Sequence, residues 1–265
     1  MKLKERMLKD RLYGLIMKTL RNPSITILAK NTGLDFLFYD CEHGMYTYET
    51  LHDLILMGNA VGIPSFVRVP QLARGDVSKA LDCGATGVMV PMIENKDQAE
   101  MLVKWSKYPP VGNRGYAGGA NTNYRASGNH KNNMKEINES EISIAQIETE
   151  LGIKNIEEII SVEGIDAAII GPADLAISLG IPGDYLNSTE IEAINKVVSV
   201  CKKYKKGFGI IGKLNLIEKY KNEINFLITK TDVDIIRDGF ARSVKDFDDL
   251  YISNNISSNG SFENI

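Results

Sequence analysis

Residues 35–46, DFLFYDCEHGMY, decide the fold. Phe36 to Tyr39 make an unbroken apolar, aromatic run of the kind found in a strand buried on both faces, and the run stops on Asp40, Glu42 and His43. Burying unpaired charge is costly, so such a strand must deliver its polar end to a place where polar chemistry is needed. In a barrel of parallel strands that place is the C-terminal rim.

Seven further runs share the character of this one: YGLIM (13–17), SFVRVP (65–70), TGVMVPMI (86–93), ISIAQIE (142–148), DAAIIGP (166–172), FGIIG (208–212) and NFLITK (225–230). Segments of helical period lie between them, among them YETLHDLILMGNAVG, KDQAEMLVKWSKY and STEIEAINKVVSVCKKYKKG. Eight strand and helix units in 265 residues predict a single (β/α)8 TIM barrel. A doubly wound open sheet is disfavoured, because no G-x-G-x-x-G follows the first strand. The barrel is expected over 1–252, with 253–265, SNNISSNGSFENI, as a flexible tail. The stretch from 109 to 141 breaks the rhythm and reads as one long functional loop with Arg114 as its anchor.

A net charge of −3 argues against a nucleic-acid partner or an anionic membrane surface, both of which select clustered Lys and Arg. A small-molecule partner is expected instead. Cys41, Cys83 and Cys201 are far apart with no C-x-x-C pair, which suits a reducing compartment. The opening MKLKERMLKDRLYGLIMKTL is interrupted by charges, and no later run has the length of a membrane span, so the expected location is cytoplasmic.

Side chains alternate along a strand, so Gln146 and Glu148 share one face. Asp174 follows the next strand, and two carboxylates on neighbouring parallel strands can share one hard cation, Mg²⁺ or Mn²⁺ rather than zinc. The same placement also suits a helix N-cap. Arg68, within VRVP, should point inward near the mouth, either toward an anionic ligand or into an ion pair with Asp40 or Glu42. No lysine but Lys230 sits within a strand before the mouth, which disfavours Schiff-base chemistry.

Together DCEHG (40–44), FVRVP (66–70), LDCGATGVMVPMIEN (81–95), YPPVGNRG (108–115), AQIET (145–149) and GPADLAISLG (171–180) resemble the HpcH/HpaI family of metal-dependent, class II pyruvate aldolases. The resemblance implies a lyase that cleaves a 4-hydroxy-2-oxo acid reversibly to pyruvate and an aldehyde through a metal-stabilised enolate. By position, Glu148 and Asp174 match the metal ligands, for Mg²⁺, Mn²⁺ or Co²⁺, and Gln146 and Ala173 match the pyruvate-binding set, to which Asp40 is added. His43 matches the general base acting through a water, Arg68 the residue that stabilises the enolate oxygen, and Asp82 one that raises the basicity of the histidine. Asp82 lies near the end of a helix running away from the mouth, so its contact requires either an unusually short helix or a neighbouring subunit. A homo-oligomer, trimer or hexamer, is implied. An alternative within the same resemblance is a citrate synthase of siderophore biosynthesis, which condenses an acetyl thioester with oxaloacetate. The chain departs from the family after the eighth strand, where ITKTDVDIIRDGFARSVKDF replaces a Gly-Ser-Asp type sequence and its assembly helix.

Overall fold

The computed structural model describes residues 3–125 and 128–259. Eight strands close into a barrel in chain order: β1 (Leu12–Met17), β2 (Phe36–Asp40), β3 (Ser65–Arg68), β4 (Gly87–Val90), β5 (Ile142–Ile147), β6 (Ala167–Ile170), β7 (Gly207–Ile211) and β8 (Phe226–Thr231). Every neighbouring pair is parallel, as expected for a (β/α)8 barrel. Each strand coincides with an apolar run of the sequence. The runs overshoot at Pro70, Pro91 and Pro172, residues without the N–H that a ladder requires.

Alternation sorts the side chains into two cores. Leu37, Tyr39, Val67, Ala145 and Ile147 pack outward against the helices. Phe36, Phe38, Phe66, Ile142, Ile144 and Phe226 fill the interior. Three of these rings, Phe36, Phe66 and Phe226, meet edge to face with centroids 5.2–5.8 Å apart, and Phe38 stacks on Phe66. The lower barrel is therefore a dry plug, which leaves the upper end for polar chemistry.

The seam between the last strand and the first is held by Asp232, a buried carboxylate that accepts the backbone N–H groups of Lys18 (3.0 Å), Thr19 (2.9 Å) and Leu20 (2.8 Å). Asp232 begins the helix Asp232–Asn259, which takes in the first part of the expected tail; residues 260–265 lie outside the described residues. This helix exposes Val233, Phe240, Val244, Phe247 and Tyr251, mostly three or four residues apart.

The 109–141 segment corrects the reading of one long loop, because it holds a 3-10 turn (Ala120–Thr122) and a helix (His130–Ser140). That helix buries none of its residues and so has no apolar stripe to reveal it. Asn129 starts it by accepting the N–H of Asn132. Arg114 anchors the segment as expected, donating to Glu141 (2.6 Å) and Asp82 (2.8 Å).

Glu190 is fully buried and neither carboxylate oxygen has a partner. Burial, reinforced by the charge of Asp184, pushes its pKa up to about 7. An unfolded glutamate titrates near 4.3, so between those two values the folded chain keeps a proton the unfolded chain has lost, and stability falls as pH rises through that window. Glu190→Gln should therefore raise the Tm at pH 8 by roughly 2–4 °C or more and leave it unchanged near pH 4, as read by thermal unfolding at both values.

Candidate active site at the C-terminal rim

Strand parity builds the site. The alternation that puts Phe36, Phe38, Phe66 and Ile144 inside carries Asp40, Arg68 and Gln146 into the next interior layer, where the strands end. Asp40 and Arg68 are register partners on β2 and β3. Arg68 Nε and Nη2 donate to Asp40 Oδ1 (2.9 Å) and Oδ2 (2.7 Å), a two-pronged pair. Asp40 Oδ1 also accepts the N–H groups of Glu42 (3.1 Å) and His43 (3.2 Å), and Lys18 Nζ lies 3.5 Å from Oδ2. Burial pushes the Asp40 pKa up, but the hydrogen bonds and charge of Arg68 outweigh it and hold the carboxyl below its ordinary value. The loop then turns so tightly that a Cβ on Gly44 would sit 2.1 Å from the Asp40 carbonyl oxygen. Asp40 is wholly buried, both its oxygens accept hydrogen bonds, and it positions Arg68 and the His43 loop.

The remaining arm of Arg68 is directed at other groups. Nη1 lies 3.0 Å from Glu42 Oε2 and 3.5 Å from Gln146 Oε1. Gln146 Nε2 donates to Glu148 Oε2, and Glu148 Oε1 accepts the N–H of Met92 (2.9 Å). Met92 takes a left-handed φ of 56°, uncommon for a side chain of its kind. Gly171 leaves room for this pair: a Cβ there would stand 2.4 Å from Glu148 Oε2 and 2.8 Å from Gln146 Nε2. Burial pushes the Glu148 pKa up to about 7; the Met92 N–H opposes this, and the charges of Glu42 and Asp174 add to it. Glu42 is also raised, first by burial, with Arg68 opposing.

Of these groups Arg68, Gln146 and Gly171 border a cavity of about 480 Å³, which His43, Ala173 and Asp174 also line, while Glu148 stands behind Gln146. Ala173 and Asp174 stand in the first turn of the helix Pro172–Ser178, whose first N–H groups have no partner within the helix. His43 is 57% exposed, its Nε2 3.8 Å from Glu42 Oε2. Asp82 is not brought to His43 within this chain: it ends the helix Arg74–Asp82, ahead of β4 on the opposite rim, and binds Arg114. Glu42, which the sequence offers as an ion-pair partner of Arg68, pairs with it and is a third acid beside Glu148 and Asp174. Its Oε2 is buried without a hydrogen bond, a state that sequence position does not disclose.

Four carboxylates, Asp40, Glu42, Glu148 and Asp174, thus face two nearby cations, Arg68 and Lys18, with most of Arg68 already committed to Asp40. Among the described residues no three His, Cys, Asp or Glu side chains form a ready-made metal cage. An oxygen-only pair of carboxylates with surplus negative charge nevertheless fits a hard divalent cation that keeps water or substrate oxygens in its shell. The residues present suit the group.

A parallel barrel with a fixed arginine facing an acid cluster beside a small-molecule cavity has the architecture of a TIM-barrel enzyme. The chain belongs to the HpcH/HpaI aldolase/citrate lyase family, whose sequence model matches residues 16–225. It is 37% identical over 191 residues, 69% of this chain and 71% of the relative, to a 4-hydroxy-2-oxovalerate aldolase of Novosphingobium aromaticivorans. A 2-dehydro-3,6-dideoxy-6-sulfogluconate aldolase of Pseudomonas putida is 36% identical, covering 68% of this chain and 70% of that one. Among solved structures, an HpcH/HpaI aldolase from Desulfitobacterium hafniense DCB-2 superposes with a TM-score of 0.87 at 29% identity, covering 93% of this chain and 96% of that one. The citrate synthase SbnG superposes with a TM-score of 0.83 at 28% identity, covering 94% of this chain and 98% of that one.

Two substitutions test the construction. Asp40→Ala strands a buried guanidinium and should cost about 3–5 kcal/mol of stability in denaturant unfolding, well beyond the cost of Glu42→Ala. Gly171→Ala should leave the fold intact by circular dichroism while weakening Mn²⁺ binding, read by calorimetry, at least tenfold, because the new methyl displaces Glu148 and Gln146.

Proposed function

We propose that this chain is an aldehyde-lyase that cleaves a 4-hydroxy-2-oxo acid reversibly to pyruvate and an aldehyde. The observation that carries the reading is the Asp40-locked Arg68, whose remaining arm reaches Glu42 and Gln146 at the cavity. Family membership and the two aldolase relatives support it.

In cleavage, the C4 hydroxyl gives up its proton, the C3–C4 bond breaks, and its electron pair moves into the enolate of pyruvate as the aldehyde leaves. C3 of the enolate then takes a proton. His43, at the mouth and exposed to water, accepts the first proton through a water and returns one. Arg68 sets a fixed positive charge at the oxygen where the enolate's negative charge develops, and because Asp40 orients it beforehand no reorganisation is needed. Gln146 and the N–H groups near Ala173 hold the carboxylate and keto oxygens. Glu148 and Asp174 would hold Mg²⁺, Mn²⁺ or Co²⁺, which when bound supplies Lewis-acid charge and a template for the 2-oxo acid.

Asp82 has a role in this scheme only if a second copy presents it to His43, so the proposed enzyme is a homo-oligomer. The exposed stripe on the helix Asp232–Asn259 supports that. Among the described residues no helix is long and apolar enough to cross a membrane; the cytoplasm is the proposed compartment.

Exchange of the pyruvate methyl protons in heavy water, followed by NMR, tests enolisation without knowledge of the aldehyde. Exchange is expected with Mg²⁺ or Mn²⁺, to be abolished by chelator and by Glu148→Ala or Asp174→Ala, and to fall at least a hundredfold in His43→Ala. Exchange that survives chelation would remove the proposal, and citrate formed from acetyl-CoA and oxaloacetate would favour the synthase chemistry of the SbnG relative. For assembly, light scattering on the eluting protein should show more than one copy, and Phe240→Asp with Phe247→Asp should yield a monomer.

A further inference from the structure

Among the described residues no group hydrogen-bonds the imidazole of His43, and the carboxylate of Glu42 lies 3.8 Å from its Nε2. Where the ring stands is therefore decided by the backbone of residues 41–46, which joins β2 to the helix Tyr48–Val61. This loop is pinned at its start by Asp40, whose Oδ1 accepts the N–H groups of Glu42 and His43. Its far end is pinned elsewhere, on the turn that follows β1.

Three contacts make that second attachment. Tyr46 donates its hydroxyl to the Leu20 carbonyl oxygen (3.0 Å), Met45 donates its N–H to the Lys18 carbonyl oxygen (3.4 Å), and Gly44 lies so close that a Cβ on it would stand 3.1 Å from that same oxygen. The Tyr46 ring is half-buried and packs edge to face on Tyr39 of β2, with centroids 5.7 Å apart. Burial, with the charge of Asp232 adding to it, raises the pKa of the Tyr46 hydroxyl, which therefore stays a donor. The turn it grips is itself held from the other side, because Asp232 accepts the N–H groups of Lys18, Thr19 and Leu20. Between the pairs Gly14↔Ile228 and Ile16↔Thr231, β8 carries one residue more than β1, and this bulge sets Asp232 next to the turn. The carbonyl groups of one short turn thus receive the His43 loop while its N–H groups are fixed by a buried carboxylate.

We propose that Tyr46 is a positioning residue for proton transfer: by tying its loop to the turn that Asp232 braces, the hydroxyl sets where His43 stands over the cavity. Tyr46 does not line the cavity and acts only through the loop. The inference rests on the aldolase reading and adds to it the group that aims the base. The groups proposed to bind the 2-oxo acid and the metal, Arg68, Gln146, Glu148 and Asp174, are carried on or directly after β3, β5 and β6, away from this brace. Loss of the brace should therefore slow proton transfer and spare binding.

Tyr46→Phe removes the hydroxyl and keeps the ring that packs on Tyr39, so the fold should survive. With Mn²⁺ and pyruvate in heavy water, kcat for methyl exchange should fall at least about fivefold, since misplacing a catalytic group by about 1 Å can cost on the order of a hundredfold. The KM for pyruvate, and Mn²⁺ affinity read by calorimetry, should change less than about twofold, the signature of an interaction that serves the chemical step alone. In a His43→Ala background the same substitution should have no further effect, because the group it aims is gone. A general loosening of the structure would instead lower the residual exchange by the same factor in both backgrounds. A smaller fall in kcat, a loss that appears in KM or Mn²⁺ affinity, or an equal fall in His43→Ala overturns the role of Tyr46, while metal-dependent exchange in the parent protein still upholds the aldolase. Absence of exchange in the parent removes the aldolase reading and the positioning role with it.

Discussion

The upper half of this barrel depends on the pairing of Asp40 with Arg68. One carboxylate, buried at the end of β2, takes two arms of the guanidinium on β3 and the two N–H groups that begin the following loop. The same few atoms therefore orient the cation that faces the cavity and shape the turn that presents Glu42 and His43. A buried ion pair brings little net stability over well-packed apolar residues, but removing either partner is expensive. Its use here is orientation: Arg68 is aimed before any ligand arrives, and that is the condition under which an electrostatic contribution to catalysis is large.

Around this pair the site is under strain. Burial and the neighbouring charge of Asp174 raise the affinity of Glu42 and Glu148 for protons, Met92 adopts a left-handed backbone to supply an N–H, and Gly171 forgoes a side chain so that Glu148 and Gln146 can lie over it. A core selected for stability alone would neutralise or remove such a group. The excess of negative charge makes sense when a cation completes the site, and strain concentrated at a functional centre is a common arrangement.

Strand parity explains why so much of this was legible in the sequence. Once FLFYD is read as a two-faced strand, Phe36, Phe38 and Asp40 must share a side, and the same reasoning places Arg68 above Phe66 and Gln146 above Ile144. What parity cannot give is the partner. Sequence position leaves Arg68 a choice among Asp40, Glu42 and a ligand, and only coordinates reveal that two of its nitrogens bond both Asp40 oxygens. The resemblance implies a contact between Asp82 and His43, but within one chain the helix of Asp82 ends at the opposite rim, where it meets Arg114. The helix His130–Ser140 was invisible for a simpler reason: HKNNMKEINES buries nothing and has no apolar face to betray its period. The β8 bulge was equally silent, because ITKT reads as ordinary alternation until it is paired with β1.

The Asp232 clamp has a consequence for how the molecule comes into being. The proposed catalytic groups are spread from residue 43 to residue 174, and all of them leave the ribosome well before residue 232, the carboxylate that ties the turn after β1 to the end of β8. During synthesis the growing chain therefore holds a complete set of reactive groups with no closed vessel around them. Enzymatic competence must come late and abruptly, when the final strand docks and stitches the oldest part of the polypeptide to the newest.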